Sequence, residues 1–337
     1  MATRIGINGF GRIGRQVLKG IIERHPDSLD VVAVNDLVDS ETNAHLFKYD
    51  SNYGRFEGTV AADGNDLVVN GRKIRVFSER NPGDIPWTEE NVEVVIESTG
   101  LFTNAAKAGE HRHGTVKKVV ISAPATGEDV TLVLGVNQDA YEPAKHNIIS
   151  NASCTTNGLA PVVKVILDSF GFQKGQMTTV HSYTNSQKVL DVAAKDLREA
   201  RAAGMNIIPL ATGAAKALKL VIPEVDGILD GAAYRVPTPT VSIVEVVALT
   251  ERDTTAEAVN EAMFRASVER MAGILAITDE PVVSMDLKGN ENSSIVDAQC
   301  TKVVAGNLVK VAAWYDNEWG YSCRIGDLCQ FIAERGL

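Results

Sequence analysis

The chain has 337 residues, of which 45% are hydrophobic and 23% charged, and its formal net charge is −10. These values are ordinary for a globular protein, and the length predicts two domains. The negative charge argues against a nucleic-acid binder, and no apolar run reaches the roughly 18 residues of a membrane span. Because the chain begins with an apolar strand pattern and its cysteines form neither a disulfide framework nor a zinc spacing, we expect a reducing, cytoplasmic location.

The first elements predict a dinucleotide site. Arg4–Asn8 has the pattern of a buried strand, and Gly9–Gly14 follows as G-x-G-x-x-G and opens an amphipathic helix. A second strand at Val31–Val34 leads to Asp36, about 20 residues beyond the last glycine. Glycines such as Gly9 and Gly11 let the backbone approach a pyrophosphate, and a carboxylate at position 36 suits the ribose hydroxyls of NAD.

Alternating strands and helices continue to about residue 150. A hairpin is predicted around Asn70-Gly71, and further strands at Val92–Glu97, Val119–Ser122 and Thr131–Val136. This alternation is typical of a mainly parallel sheet covered by helices, which is the Rossmann type of α/β domain.

The segment Ser150–Asn157 reads Ser-Asn-Ala-Ser-Cys-Thr-Thr-Asn. The apolar residues before it predict a strand, and an apolar stripe from Leu159 onward predicts a helix. Cys154 is therefore expected at a helix start, where free N–H groups and the helix dipole favour thiolate over thiol. We expect a nucleophile of low pKa; the alternative is a buried structural cysteine beside an N-cap serine.

The second half has a different pattern. A strand at Met177–Val180 leads to His181, and a long polar loop covers 182–210. Thr254 with Glu257 predicts a capping box before a helix, and a last helix with an apolar stripe ends the chain. Other strands are predicted at Gly231–Thr250, Val282–Leu287, Ser293–Asp297 and Leu308–Trp314. We expect an α+β domain with a mainly antiparallel sheet, in which Cys300, Cys323 and Cys329 serve packing.

A cysteine, a histidine and an NAD site in one chain suggest a specific chemistry. Cys154 would add to an aldehyde, the adduct would pass hydride to nicotinamide, and His181 would take the protons. The alternative from another class is a nucleotide-binding protein without catalytic activity. The presence of a nucleophile counts against it, because binding alone does not need one.

Longer motifs occur in a fixed order along the chain. They are Ile5–Gly14, Lys48–Ser51, Glu97–Gly100, Ser150–Asn157, His181–Thr184, Thr212–Lys216, Arg235–Pro239 and Trp314–Gly320. With these motifs the chain resembles phosphorylating glyceraldehyde-3-phosphate dehydrogenase of the bacterial and organellar type, over essentially its whole length. The resemblance implies oxidation of D-glyceraldehyde 3-phosphate with NAD and inorganic phosphate to 1,3-bisphosphoglycerate. It also implies a glycolytic homotetramer without a metal centre.

The resemblance also assigns domains and residues. Residues 1–153, completed by a C-terminal helix at 318–337, would bind NAD, and residues 154–317 would form the catalytic domain. Cys154 would be the nucleophile and His181 the base. The expected NAD contacts are Gly9, Gly11, Arg12, Ile13, Asp36, Arg80, Ser122 and Asn317. The attacking phosphate would meet Ser153, Thr155, Thr212, Gly213 and Arg235, and the substrate phosphate would meet Thr184 and Arg198 with Arg235 shared.

Two points stay open within the resemblance. Val192-Ala193 stands where NAD-specific members commonly have a proline, which leaves the strictness of NAD over NADP undecided. Erythrose-4-phosphate dehydrogenase shares the scaffold, although Ser182–Asn185 and Thr212–Ala215 match the triose enzyme better.

Overall fold

The computed structural model describes residues 2–337. Contacts divide the chain into two compact units. The first runs up to Leu132 and adds Asp139–Ala152 and Ser322–Leu337, and the second comprises Val133–Gln138 and Ser153–Tyr321.

Strands and helices follow one another along the chain with short 3-10 turns between some of them. The strands are β1 Thr3–Asn8, β2 Leu29–Asn35, β3 Tyr49–Asp50, β4 Gly54–Arg55, β5 Val60–Asp63, β6 Asp66–Val69, β7 Arg72–Phe77, β8 Val94–Glu97, β9 Lys118–Ile121, β10 Val130–Thr131, β11 Ile148–Ser150, β12 Lys174–Ser182, β13 Ile208–Ala211, β14 Leu229–Val236, β15 Ser242–Leu249, β16 Leu275–Thr278, β17 Ser294–Asp297, β18 Lys302–Val304 and β19 Leu308–Tyr315. The helices are α1 Arg12–Arg24, α2 Ser40–Lys48, α3 Ala105–Ala108, α4 Cys154–Phe170, α5 Ala214–Leu218, α6 Ala256–Val268 and α7 Trp319–Arg335.

The first unit is built on a nine-stranded sheet with the order β10-β11-β9-β8-β1-β2-β7-β6-β5. The pairs from β10 to β7 are parallel, and the hairpins at β5, β6 and β7 are antiparallel. The carboxyl ends of β1, β2, β8 and β9 therefore share one edge, which is where ligands of open parallel sheets bind. The expected Rossmann-type α/β class is confirmed.

The last helix belongs largely to the first unit. Its stripe at Ile325, Leu328 and Ile332 is fully buried, and Asp327 pairs with Arg24 of α1 at 3.1 Å. This helix contributes core residues to the unit that carries the glycine motif.

The second unit contains an eight-stranded sheet with the order β13-β14-β12-β15-β19-β17-β16, and β18 pairs with β19. Most pairs are antiparallel, whereas β12–β14 and β16–β17 are parallel. Alternate residues of β15 are buried, and α4 packs on β15, β17 and β19. The expectation of an α+β unit with a mainly antiparallel sheet is confirmed.

Two local predictions in the second half are wrong. The segment predicted as a strand at Val282–Leu287 contains a 3-10 turn at Ser284–Leu287. The N-cap of α6 is Thr255, whose hydroxyl accepts from Ala258 N–H, so the neighbouring threonine is not the cap. Cys300 lies half-buried at the end of a 3-10 turn, although Cys323 and Cys329 are core residues as expected.

Candidate active site

The start of α4 presents Cys154. Ala152, just before the helix, has φ of +54°, a left-handed conformation that costs a non-glycine residue about 1–3 kcal/mol. Ser153 then caps the helix, because its hydroxyl accepts from Thr156 N–H at 3.0 Å. This tight turn makes Cys154 the first residue of the helix, where the free N–H groups point toward its surroundings.

The hydroxyl groups beside Cys154 have protein partners. Those of Ser153 and Thr156 bond to each other at 2.8 Å, and that of Thr155 bonds to the Tyr315 hydroxyl at 2.9 Å. Tyr315 also bonds to Thr179 of β12 at 2.8 Å and is almost fully buried. Sequence analysis did not single out Tyr315, although it lies inside one of the motifs; it holds the start of α4 against β12.

Parallel pairing of β12 with β14 brings two further side chains to Cys154. His181 on β12 lies opposite Arg235 on β14 in the strand register. His181 Nε2 is 3.5 Å from Cys154 Sγ, and Arg235 Nη1 is 2.5 Å from His181 Nδ1. His181 Nδ1 is also 2.7 Å from the Ser182 carbonyl oxygen. The structure thus brings Cys154, His181 and Arg235 into one cluster.

The electrostatics of this cluster favour neutral groups. Burial and the charge of Arg235 lower the pKa of His181 to about 3, so the imidazole is neutral near pH 7. Part of Cys154 remains exposed, yet its thiol lies deep enough that desolvation raises its pKa. Arg235 and the N–H groups at the helix start lower the pKa of Cys154, but they offset desolvation only in part. The expectation of a low-pKa thiol is therefore wrong, because desolvation outweighs the charge and the helix end.

Other expected phosphate contacts lie on loops. Thr184 is exposed, and its hydroxyl bonds to Ser186 at 3.0 Å. The exposed Arg198 donates from Nη1 to the Pro209 carbonyl at 3.5 Å. Thr212 accepts from Ala214 N–H at 3.1 Å, and Gly213 follows it with open space where a Cβ would stand. Thr184 and Thr212 thus bond within their own loops, whereas Arg198 reaches the carbonyl of Pro209 in β13.

Asn317 is held by a serine that sequence analysis missed. Ser242 donates to Asn317 Oδ1 at 2.9 Å and accepts from Ser182 N–H at 3.0 Å. All three residues are buried. Because Oδ1 is the acceptor here, the Nδ2 group is the end of the carboxamide that is oriented away from Ser242. No sequence pattern would have indicated Ser242, since a serine in a buried strand carries no motif.

The glycine motif of the first unit forms a cradle at the end of β1. Gly9 has φ of +88°, and Ser98 donates to its carbonyl at 2.7 Å. A Cβ at Gly11 would stand in open space, and α1 begins there without a side-chain cap. The start of α1, where Ile13 lies, is therefore open to the approach of an anion, which fits a pyrophosphate.

The end of β2 orients Asp36. Its Oδ2 accepts from Phe10 N–H at 2.7 Å, and its Oδ1 accepts from Val38 N–H at 2.9 Å. The Arg12 guanidinium pairs with the buried Asp50 at 2.7 Å, which fixes its side chain beside the motif. These contacts tie the acid and the first helical residue to one edge of the sheet.

The remaining expected NAD contacts lie at two loops of the same unit. Arg80 is exposed after β7, and Ser122 follows β9 with its N–H on the Glu97 carbonyl. Beneath that edge, the buried Glu97 accepts from Asn8 at 2.5 Å and contacts His111 at 3.1 Å. Sequence analysis missed His111, which lies at the end of the 3-10 turn Gly109–His111. This buried network fixes the ends of β1 and β8.

Residues 2–337 lack two kinds of feature. No group of three or more His, Cys, Asp or Glu side chains there is arranged to hold a metal ion. None of the helices in the same stretch has the length and apolar character needed to cross a membrane.

Comparison with known proteins places the chain in a family. Residues 3–105 match the profile of the glyceraldehyde 3-phosphate dehydrogenase NAD binding domain, and residues 153–317 match that of its C-terminal domain. The chain is 55% identical over 337 residues to glyceraldehyde-3-phosphate dehydrogenase of Priestia megaterium, covering all of both chains. It is 54% identical, again over the full length of both, to glyceraldehyde-3-phosphate dehydrogenase 1 of Bacillus subtilis. A relative from Trichormus variabilis, named glyceraldehyde-3-phosphate dehydrogenase 2, is 51% identical over 333 residues, 98% of this chain and 99% of its own. The chain belongs to the glyceraldehyde-3-phosphate dehydrogenase family.

Proposed function

We propose that the protein catalyses the NAD-dependent, phosphorylating oxidation of D-glyceraldehyde 3-phosphate to 1,3-bisphosphoglycerate. The observation that carries this proposal is the contact of Cys154 Sγ with His181 Nε2 at 3.5 Å, at the start of a helix. The family match and the names of the relatives support it.

The first step is addition of the thiol to the aldehyde. Cys154 Sγ forms a bond to the carbonyl carbon, and the thiol proton passes to His181 Nε2. A neutral imidazole is required here, which agrees with the lowered pKa of His181. The Cys154 backbone N–H at the helix start would hold the developing oxyanion, and such a donor is typically worth several kcal/mol in the transition state.

Oxidation and acyl transfer follow. When bound, NAD supplies the hydride acceptor. His181 returns its proton to the oxyanion to give the thiohemiacetal hydroxyl. The thiohemiacetal on Cys154 then loses hydride from its carbon and gives the hydroxyl proton to His181 Nε2, which leaves an acyl thioester. Inorganic phosphate then forms a bond to the acyl carbon, the carbon–sulfur bond breaks, and the Cys154 thiolate leaves and takes back a proton.

Binding of two phosphate groups needs local positive charge in a chain of net charge −10. Arg235 is already beside the catalytic pair, and a guanidinium offers a planar fork of donors that matches phosphate oxygens. We assign Arg235 to both phosphates, with Thr184 and Arg198 for the substrate phosphate. Ser153, Thr155, Thr212 and Gly213 would surround the attacking phosphate, where the Gly213 backbone is open to a ligand.

For the cofactor, we assign the first unit to NAD. The open cradle at Gly11, the uncapped start of α1 and the oriented Asp36 carboxylate fit a pyrophosphate and a ribose. Gly9, Arg12, Ile13, Arg80, Ser122 and Asn317 complete the proposed NAD contacts. This proposal keeps the expected domain division, in which residues 1–153 and 318–337 bind NAD and residues 154–317 form the catalytic domain.

We also propose that the chain forms a homotetramer in the cytoplasm. The loop 182–210 exposes Val189, Leu197 and Met205, each more than four-fifths accessible. Exposed apolar residues in such number on one loop indicate a covered surface. A free catalytic thiol also requires a reducing compartment. Light scattering coupled to gel filtration should give four times the mass of the chain.

An absorbance assay for NADH tests the proposed function. Glyceraldehyde 3-phosphate with phosphate and NAD should give rapid NADH formation, and omission of phosphate should slow it strongly. Preference for erythrose 4-phosphate would identify the other enzyme of this scaffold. Full-rate turnover without phosphate would indicate hydrolysis of the thioester, and no turnover with any aldehyde would leave a nucleotide-binding protein.

A further inference from the structure

The ring nitrogen His181 Nδ1 has two competing partners. Arg235 Nη1 is 2.5 Å away and the Ser182 carbonyl oxygen is 2.7 Å away. A guanidinium can only donate a hydrogen bond, and a carbonyl oxygen can only accept one. Nδ1 can therefore satisfy one partner at a time: it accepts from Arg235 when it carries no proton, or it donates to Ser182 when it does.

The choice at Nδ1 fixes the state of Nε2, because a neutral imidazole carries a single proton. If Arg235 donates to Nδ1, the proton lies on Nε2 and points to Cys154 Sγ. In that form the ring cannot accept the thiol proton. If Nδ1 donates to Ser182 instead, the Nε2 lone pair faces Sγ and the ring is a base.

Binding of an anion is expected to draw the Arg235 guanidinium away from His181. Its Nη1 contacts both Nδ1 and the Ser182 carbonyl, the latter at 2.9 Å. Its Nε is buried and has no hydrogen-bond partner among the described residues. A phosphate oxygen would satisfy Nε and a neighbouring amine in a bidentate pair, which is stronger than a hydrogen bond to a neutral imidazole. A bound anion therefore competes with His181 for the guanidinium.

We propose that Arg235 sets the tautomer of His181 and that phosphate binding switches the ring into its base form. Without an anion, Arg235 holds the proton on Nε2. When an anion draws the guanidinium away, Nε2 releases one proton to water, Nδ1 takes one from water, and Nδ1–H donates to Ser182. No net proton is consumed. Arg235 is then a positioning residue for the base as well as a phosphate ligand, so that Cys154 is activated when inorganic phosphate or the phosphate group of the substrate is bound. This inference rests on the proposed function of Cys154 and His181.

Nitrogen-15 spectra of imidazole-labelled protein report the tautomer directly. The NAD-loaded enzyme is sedimented and its spectrum is recorded with and without inorganic phosphate. The signals of His181 are identified by their loss in His181→Gln. We expect mainly the Nε2–H tautomer without phosphate and mainly the Nδ1–H tautomer with it. The ratio should change by more than about tenfold, since a hydrogen bond to a charged group is worth at least that bias.

Arg235→Leu is the matched test, with Arg201→Leu as its control. Arg201 lies on the exposed loop and pairs with Asp191 at 3.1 Å. Arg235→Leu should show the Nδ1–H tautomer in both conditions, whereas Arg201→Leu should switch like the wild type. One tautomer in the wild type under both conditions would overturn the inference, as would an Nε2–H tautomer in Arg235→Leu.

The NADH assay on the same wild-type sample separates the two proposals. NADH formation with a fixed tautomer would overturn the tautomer switch but leave the proposed function intact. A tautomer that changes with phosphate, without NADH formation from glyceraldehyde 3-phosphate, would support the switch and overturn the proposed function.

Discussion

Acid sensitivity of the fold should depend on His181. Burial and Arg235 lower its pKa from 6.5 to about 3 in the folded protein. Between these two values the unfolded chain binds a proton that the folded chain does not, so stability falls as the pH decreases. The unfolding free energy that depends on a neutral His181 is fully present above pH 6.5. It is lost progressively down to a pH of about 3, at about 1.4 kcal/mol per pH unit.

The comparison of wild type with His181→Gln isolates this effect. From about pH 7.5 to about pH 5, the wild type should lose about 2 kcal/mol more unfolding free energy than the variant, because about 1.5 pH units of that interval lie below the unfolded pKa. Urea unfolding of both proteins at one fixed protein concentration measures the difference, since oligomer stability depends on concentration. An equal loss in wild type and variant would refute the buried, neutral state of His181.

Three further substitutions test other parts of the account. Asp36→Gly should narrow a preference for NAD over NADP that we expect to exceed about tenfold in kcat/KM, because the carboxylate repels a 2′-phosphate; steady-state kinetics with both cofactors measure it. Tyr315→Phe should cost about 1–3 kcal/mol of stability, because its hydroxyl bonds two buried threonines; thermal unfolding measures this. Ser242→Ala should weaken NAD binding in calorimetry, because the Asn317 carboxamide loses the hydroxyl that orients it.

Each of these has a contradicting result. Equal values of kcat/KM with NAD and NADP in the wild type would show that the loop at Val192-Ala193, and not the Asp36 carboxylate, determines the cofactor preference. Tyr141→Phe is the control for Tyr315→Phe, since it removes a hydroxyl that donates to the Gly336 carbonyl near the chain end. Equal losses in the two variants would contradict a special role for Tyr315. Unchanged NAD affinity in Ser242→Ala would contradict the orienting role of that serine.

Short sequence patterns correctly predicted those elements whose ends are marked by characteristic residues. The glycine motif, the acid after β2 and the cysteine at the start of α4 all lie where the sequence indicated, because strand ends and helix starts leave short-range signatures. The error at residues 282–287 has the opposite cause: a short apolar run does not distinguish a strand from a 3-10 turn.

Long-range pairing is what the sequence could not reveal. Arg235 contacts His181 because β14 joins β12 in parallel register, and those two residues are 54 positions apart. The pKa of Cys154 was mispredicted for a related reason. The helix start is visible in the sequence, whereas the depth of burial that raises the pKa depends on how the whole unit packs.

Trapping of the acyl enzyme shows whether Cys154 is the residue that forms the covalent intermediate. The protein is mixed with glyceraldehyde 3-phosphate and NAD without phosphate, quenched in acid, digested and analysed by mass spectrometry. We expect a thioester on the peptide that contains Cys154, absent in Cys154→Ser, and lost when phosphate is added before the quench. NADH formation with no adduct on Cys154, or with the acyl group on Cys300, Cys323 or Cys329, would contradict it.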